Sequence, residues 1–301
     1  MNLKGLLIGL LFTVLYSSGA IIMKIGLLSA PPLTLVTMRL LIAGLLLLIF
    51  IYGFNKSKYP LPNKREWKIL FLLGLLNTTL FLGLGSLSIR TISAGIFNLF
   101  LPISPFVFAL FSLFFMGTHI RAKEWLGMAV SVIGLFIATY PSLANSHATL
   151  AGILFLSFGM ISMAVGSLVY KKANLQLPNL VINAWQGFIG GIFLLIPTLF
   201  LESGTPVHLD LHLAVFLLWS VFGLSIFSMG LWFYLLKQDA VRANNWLLLN
   251  PVTGYILAAI ILGEPITWYA VIATVVVLLG LYLSGNFRTN RTKEKVTEPA
   301  N

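Results

Sequence analysis

Long apolar stretches separated by short polar connections make up most of the chain. Leu, Ile, Val and Phe follow one another in these stretches without the strict alternation of a half-buried β-strand. A bilayer accepts only helices or closed barrels, and about 18 or more apolar residues in a row indicate a membrane-spanning helix. The pattern predicts an all-α integral membrane protein with ten transmembrane helices, at residues 4–26, 33–54, 68–88, 94–116, 125–140, 150–170, 180–201, 213–236, 243–262 and 267–284.

The two halves of the chain repeat one pattern of residues. A first set recurs with a shift of 147 and comprises the pairs Gly19/Gly166, Lys24/Lys171, Pro31/Pro178 and Gly44/Gly191. A second set recurs with a shift of 146 and comprises Ala94/Ala240, Asn98/Asn244, Leu101/Leu247, Pro105/Pro251, Gly117/Gly263 and Gly134/Gly280. Each copy holds an odd number of spans, so the second copy enters the membrane inverted. The sequence thus predicts two inverted five-helix repeats at 1–141 and 150–284, followed by a disordered basic cytoplasmic tail at 285–301.

Basic residues fall almost entirely on one side of this predicted topology. Cytoplasmic connections of membrane proteins are enriched in Lys and Arg. With the N-terminus in the cytoplasm, sixteen of the 19 basic residues are cytoplasmic, Arg90 is outside, and Lys24 and Arg39 lie within or at the edge of spans. Ten spans then place both termini in the cytoplasm. Orientation in the membrane and contact with anionic inner-leaflet lipid explain the excess of basic residues behind the net charge of +11. The charge therefore does not indicate a nucleic-acid partner.

Composition and missing motifs exclude several function classes. The chain is 58% hydrophobic and 9% charged, whereas roughly a quarter of the residues of soluble domains are charged. It has no cysteine, which excludes disulfides and cysteine metal sites. P-loop, HExxH and GxSxG motifs are absent, and the acidic and histidine residues fall in connections, helix ends or the tail. We therefore predict no enzyme activity, no cofactor, no metal and no ATP-driven pump, and favour a uniporter or exchanger over a proton antiporter.

Short motifs in both halves resemble a known family. The second half carries Pro251-Val252, Leu262-Gly263-Glu264 and Thr267, and the first half carries Pro105-Phe106 and Met116-Gly117, with Thr118 in place of the glutamate. Together with Lys24, Pro32 and Arg39 in the first two spans, this pattern resembles the EamA type of the drug/metabolite transporter superfamily over residues 5–284. The resemblance implies a ten-helix bundle that moves small metabolites, commonly outward.

Two cationic residues belong to predicted spans. A charge inside the membrane costs at least about 2.5–3.5 kcal/mol near the centre and therefore usually marks function. Arg39, about two turns into its helix, and Lys24, near the outer end of its own, can each hold a carboxylate or phosphate. Alternatively, both side chains extend to the outer headgroups. The repeat equivalent of Arg39 is Gln186, so the two halves differ chemically at this point.

Polar and aromatic residues within the spans complete the candidate site. The predicted substrate-binding residues are Tyr16, Arg39, Asn77, Thr78, Asn98, Trp232, Trp246 and Asn250. An amide in hydrocarbon needs hydrogen-bond partners, so it faces the bundle or a wet cavity. Such an amide either binds a polar solute or forms a hydrogen bond between helices, which contributes about 0.6 kcal/mol. The aromatic residues either line a site or face lipid.

Three prolines are candidates for gating. Proline removes a backbone donor and frees a carbonyl one turn earlier, so Pro102, Pro105 and Pro251 predict kinks in the fourth and ninth helices. The sequence as a whole predicts a secondary transporter in the cell membrane, most simply an exporter of amino acids or related metabolites, whose partners are a small-molecule solute and the lipid bilayer. A channel-like or lipid-handling membrane protein without catalysis is the alternative. The solute, the coupling ion and the oligomeric state are left open.

Overall fold

The computed structural model describes residues 3–54, 58–101, 106–107, 110–111, 113–114, 121–144, 148–238, 246–247 and 249–283. Within these ranges the chain is helical and contains no β-strand. The α-helices are α1 (Leu3–Gly26), α2 (Pro32–Leu48), α3 (Lys64–Leu73), α4 (Phe81–Ile89), α5 (Ala94–Phe100), α6 (Ala122–Ala144), α7 (Leu150–Ala173), α8 (Asn179–Leu201), α9 (Leu211–Leu218), α10 (Met229–Gln238), α11 (Asn250–Leu262) and α12 (Trp268–Leu283). Three π-helical segments continue or join them: π1 (Ile49–Phe54), π2 (Gly74–Leu80) and π3 (Trp219–Ser228).

Seven described helical segments are long and apolar enough to cross a membrane. They are 5–26, 32–54, 64–89, 122–140, 150–170, 179–201 and 211–232, and α11 and α12 are shorter apolar helices. Large apolar side chains such as Phe54, Phe200 and Ile260 are exposed on the outside of the bundle, where lipid would surround them. Buried hydroxyls and amides, by contrast, lie inside. The all-α prediction is confirmed for the described residues.

The helix boundaries follow from local capping. Asn63 accepts hydrogen bonds from the backbone N–H groups of Arg65 and Glu66, and the Glu66 carboxylate accepts one from the Asn63 N–H, which forms a capping box. This cap starts α3 at Lys64, four residues before the predicted third span. In the second half, α11 ends at Leu262 and is capped by Gly263, whose left-handed φ of +66° is favoured by glycine because it has no Cβ.

The predicted spans otherwise agree with the helices to within a few residues. The predicted fourth span overlaps α5 at its start, and most of the rest of it lies outside the described residues. The predicted ninth span starts before α11, at residues that are also outside the described part. The tail at 285–301 is outside it as well. The count of ten spans and the inverted arrangement of the repeats stay predictions.

Two of the π-helical segments occupy equivalent positions in the two halves. In each, a hydroxyl donates to a carbonyl five residues earlier: Thr79 Oγ1 to Gly74 O at 3.2 Å, and Ser225 Oγ to Ser220 O at 3.0 Å. Thr79 and Ser225 differ by 146 positions, as do Gly74 and Ser220. A π-turn is wider than an α-turn and is frequent at functional sites. Both π2 and π3 contribute residues to the internal cavity described below.

The core is formed by helix pairs drawn from the two halves. The most extensive contacts join α6 with α12, α2 with α8, and α4 with α7, while α11 packs against both α1 and α5. Close approach at the α6–α12 contact depends on two glycines. A Cβ on Gly134 would lie 2.9 Å from the Val277 backbone nitrogen, and a Cβ on Gly280 would lie 2.6 Å from the Gly127 carbonyl oxygen. The two backbones therefore touch at both positions.

Candidate functional site

A cavity of about 550 Å³ lies inside the bundle, between the two halves of the chain. Residues of α1, α2, π2, α4 and α5 line it from the first half, and residues of α7, α8, π3 and α10 line it from the second, together with Leu247. Its polar lining residues are Tyr16, Arg39, Asn77, Thr78, Ser86, Asn98, Ser167, Asn183, Gln186, Ser225 and Ser228. We call it the central cavity. Six of the eight predicted binding residues line it: Tyr16, Arg39, Asn77, Thr78, Asn98 and Trp232.

Arg39 supplies the positive charge of the central cavity. Its Nε donates a hydrogen bond of 3.2 Å to Ser225 Oγ on π3. Among the described residues the only ion pair within 4.0 Å joins His212 and Asp210, so Arg39 has no carboxylate partner there. A guanidinium away from bulk water is costly unless an anion or several acceptors neutralise it. The cavity is consequently suited to a negatively charged or hydrogen-bond-accepting group.

An aromatic cluster forms one wall of the cavity. The ring of Phe12 stacks on that of Trp232, with centroids 5.2 Å apart and an interplanar angle of 24°, and lies 5.6 Å from the ring of Tyr16. All three residues line the cavity. A stacked pair of rings contributes roughly 0.5–1.5 kcal/mol to stability beyond the burial of its surface, which keeps these side chains in place. It provides an aromatic surface within the cavity.

The amides of the first half are engaged in helix packing as well as in lining the cavity. Asn98 is buried, and its Nδ2 donates to Ser17 O at 3.2 Å and to Ala94 O at 3.0 Å. Asn77 Oδ1 is buried without a hydrogen-bond partner among the described residues, and its amide carbon would lie 2.7 Å from a Cβ on Gly166. Helix α7 thus makes room for the Asn77 side chain by having a glycine opposite it.

Trp246 and Asn250 lie at the contact between α1 and α11. Asn250 is 1% exposed, and its Oδ1 accepts a hydrogen bond of 3.1 Å from Ser17 Oγ, which is itself 2.6 Å from Thr253 Oγ1. The Trp246 ring packs against Gly9, and its carbonyl accepts from Thr13 Oγ1. Neither residue is among those that line the central cavity. Their contact with a solute stays a prediction.

The three candidate gating prolines are only partly covered by the structure. Pro102 and Pro105 lie outside the described residues. Pro251 is in the first turn of α11, which begins at Asn250. A proline there removes an N–H that has no partner within the helix, so it starts the helix and does not interrupt it. A gating role for the three prolines stays a prediction.

Five polar lining residues of the cavity were not among the predicted binding residues, namely Ser86, Ser167, Asn183, Ser225 and Ser228, and Gln186 was left without a role. The repeat contains the signal that finds the amides. Shifting the α2 residues Val36 and Arg39 by 147 positions gives Asn183 and Gln186 on α8. Because α2 and α8 pack against each other, the same face of each helix meets the cavity.

Two carboxylates connect the halves at one end of the bundle. Glu202, after α8, accepts from the N–H groups of Leu33 and Thr34 at 3.0 and 2.7 Å. Glu264, after α11, accepts from those of Ala94 and Gly95 at 2.8 and 3.1 Å. Each carboxylate therefore satisfies free donors at the start of a helix, α2 or α5, where the helix dipole also favours negative charge. Glu264 is thus engaged in joining the end of α11 to the start of α5.

A third carboxylate lies at the same end. Asp210 caps α9 and accepts a hydrogen bond from Ser29 Oγ, in the connection between α1 and α2, and another from the Leu213 N–H. These bonds to the ionised form lower the pKa of Asp210 to about 2. The His208 N–H also donates to Ser29 O at 2.8 Å, so this connection is held by side-chain and backbone bonds together.

No cluster of three or more His, Cys, Asp or Glu residues that could hold a metal ion is found in the described ranges. What the fold does define is a bundle of apolar helices around an internal cavity with a polar lining, which is the organisation of a membrane transporter.

A family model described as the EamA-like transporter family matches the chain at residues 3–140 and again at 150–286, and the chain belongs to this family. It is 26% identical to a probable amino-acid metabolite efflux pump of Salmonella typhimurium (strain LT2), over 97% of this chain and 98% of that one. It is 30% identical to the uncharacterized inner membrane transporter YedA of Escherichia coli (strain K12), over 92% of both. A solved crystal structure of another protein superposes with a TM-score of 0.64 over 96% of this chain and 100% of that chain, at 16% identity, and agrees in fold.

Proposed function

We propose that this membrane transporter is a secondary transporter of small organic metabolites, which exports amino acids or related compounds by alternating access. The two moving parts are inverted five-helix repeats at residues 1–141 and 150–284. The central cavity is the observation that carries the proposal, because helices of both halves line it and Arg39, which has no carboxylate partner in the described part of the chain, faces it. A site between two inverted repeats opens to either side of the membrane when one repeat rocks against the other.

The pattern of helix contacts supports inverted repeats. A two-fold axis would exchange predicted spans one with six and three with eight. The contacts of α1 with α9, π3 and α10 would then be equivalent to those of α7 with α3, π2 and α4, and both sets are present. The pairs α2–α8, α5–α11 and α6–α12 each join a predicted span to its own equivalent, as such an axis requires. With both termini in the cytoplasm, the end of the bundle that carries Glu202 and Glu264 faces outward.

The charge of the cavity favours solutes that carry a carboxylate. Arg39 and Gln186 occupy equivalent positions in the two repeats, so this pair of positions carries one cation and not two. The described lining of the central cavity contains no acidic residue. An arginine binds a carboxylate with two parallel hydrogen bonds, and the wall of Phe12, Tyr16 and Trp232 suits an apolar side chain. The relatives that are named amino-acid metabolite efflux pumps agree with this solute class.

Counterflow in liposomes tests the transport mode. The purified full-length protein is reconstituted and screened against labelled amino acids and related metabolites, with and without a pH gradient. A carrier should take up labelled solute faster when unlabelled solute is present inside. Flux that internal solute does not accelerate would indicate a channel instead, and the absence of flux for every solute would leave a lipid-handling protein.

Substitution of Arg39 tests the site. Arg39→Gln should raise the half-saturation concentration of carboxylate solutes about tenfold or more, since hydrogen bonds to charged groups contribute about 1.5–3 kcal/mol. Arg39→Lys, which keeps the charge, should lose less. Arg121→Gln is the matched control, because Arg121 is exposed before α6 and does not line the cavity. An equal loss for neutral solutes would refute carboxylate binding by Arg39.

A further inference from the structure

A second cavity, of about 430 Å³, lies at the end of the bundle where α1 ends and α5 begins. Its polar lining residues are Lys24, Arg90, Thr91, Ser93, Thr149, Tyr255, Glu264, Thr267 and Tyr269. It shares no lining residue with the central cavity. We call it the Lys24–Arg90 cavity. Under the proposed orientation it lies on the outer side.

The two cavities lie on opposite sides of one thin apolar layer. Met23 and Ile89 line the central cavity, while the next residues, Lys24 and Arg90, line the second one. Ile92 and Ile96 line the second cavity from the other side of the layer. Met23, Ile89, Ile92 and Ile96 belong to a single buried apolar cluster and are between 1% and 7% exposed. A solute that leaves the central cavity toward this end of the bundle therefore passes the layer and enters the Lys24–Arg90 cavity.

The charges of the second cavity are not balanced within the described residues. Both oxygens of Glu264 accept backbone N–H groups at the start of α5, and neither Lys24 nor Arg90 lies within 4.0 Å of a carboxylate. Lys24 is half-buried, so its ammonium is only partly hydrated. Two cations from distant parts of the sequence thus face one concave space with a net positive charge. Such a space concentrates anions.

We propose that the Lys24–Arg90 cavity is a second binding site for an anionic oxygen group, a carboxylate or phosphate, and that a transported solute occupies it between the central cavity and the medium. The position of this cavity on the solute path rests on the proposed transport function. The binding of an anion in the cavity does not depend on that function. The anionic group has two possible sources, the free solute and the headgroup of a phospholipid. Lys24 and Arg90 are the residues that bind it.

A single cysteine in the cavity reports on its charge. The chain has no native cysteine, so Thr91→Cys introduces one thiol at an exposed lining position. The rates of modification by sulfonatoethyl and trimethylammonioethyl methanethiosulfonate, one anionic and one cationic, are compared in maltoside detergent. Thr205→Cys, also exposed but outside both cavities, is the matched reporter. The ratio of anionic to cationic rates should be higher at position 91.

The cation variants then test the assignment. Lys24→Gln and Arg90→Gln in the Thr91→Cys chain should each lower the ratio about fivefold or more at low ionic strength, because a unit charge at roughly 6–8 Å in a watery space changes the anionic and cationic rates about two- to threefold each, in opposite directions. Lys24→Arg should preserve the ratio and guards against misfolding of the glutamine variant. A ratio that equals the one at position 205, or that neither glutamine variant changes, overturns the proposal.

Inorganic phosphate distinguishes the two sources of the anion. At constant ionic strength, phosphate should slow modification of the cysteine in detergent, which has no phosphate group, and also in phosphatidylcholine nanodiscs. Protection in detergent alone would show that a lipid headgroup fills the cavity, which overturns its occupation by a transported solute. Protection in neither would show that the cavity binds no anion, which overturns the proposal as a whole. Arg39→Gln should leave the labelling ratio unchanged while impairing transport. The labelling assay and the transport assay can therefore fail independently, and each failure refutes a different proposal.

Discussion

Replacement of Gly280 by alanine tests the closest helix contact in the bundle. A Cβ at this position would lie 2.6 Å from the Gly127 carbonyl oxygen and 2.7 Å from the Ser131 backbone nitrogen. Both atoms belong to the backbone of α6, which cannot move aside as the end of a flexible side chain can. Helices α6 and α12 must then separate along their contact. Overpacking of this kind costs about 1–3 kcal/mol.

A second glycine isolates that cost. Gly230 lies in α10, and a Cβ there would meet nothing within 4 Å. Gly230→Ala therefore reports only the gain in helix propensity, up to about 1 kcal/mol. The free energy of unfolding of the two full-length variants is measured by titration with sodium dodecyl sulfate in mixed micelles. Gly280→Ala should be about 1–3 kcal/mol less stable than Gly230→Ala. Equal stability would refute the conclusion that the backbones of α6 and α12 touch.

Three further predictions use the same protein. Gly166→Ala should displace Asn77 from its position against α7 and impair transport, whereas Gly230→Ala, with nothing within 4 Å and outside both cavities, should not; initial rates of counterflow measure both. Glu264→Gln should destabilise the start of α5 by about 1 kcal/mol, because the charge-assisted hydrogen bonds become neutral ones, and hydrogen exchange at the first amides of that helix should rise. Because the Ser29 hydroxyl lowers the pKa of Asp210 to about 2, the stability from this contact should be complete above its ordinary pKa of 3.8 and be lost as the pH falls through 2. Asp210→Asn should remove that pH dependence from limited proteolysis of the connection before α9.

The apolar runs predicted most of the helices because a bilayer demands length and hydrophobicity, and both are visible in sequence. They could not predict π2 and π3. A π-helical segment adds one residue to a turn without changing the hydrophobic character of the run, and only the hydroxyls of Thr79 and Ser225, which satisfy carbonyls five residues back, mark it. The observed start of α3 differs from the predicted start of the third span for a related reason. The Asn63 cap depends on hydrogen bonds, which a hydropathy pattern does not show.

The position of a residue at the central cavity can be predicted from the sequence where the cost of burial alone decides. A charged residue such as Arg39 inside a span has few acceptable places, so its location in the cavity follows from its burial. An amide has more options. Asn250 satisfies its hydrogen bonds at a helix contact, and nothing in its local sequence distinguishes that from lining a cavity. To predict Asn183 at the cavity, one must know that its helix packs against α2. The repeat register gives this equivalence, and the local sequence does not.

The layer of Met23, Ile89, Ile92 and Ile96 has an electrical consequence. These four apolar side chains belong to one buried cluster, two of them line each of the cavities, and none is more than 7% exposed. An ion or a proton crossing such a layer alone must shed its hydration shell, which costs many kcal/mol in a medium of low polarity. An intact layer at this position would therefore keep the membrane potential from driving ions along the path between the two cavities.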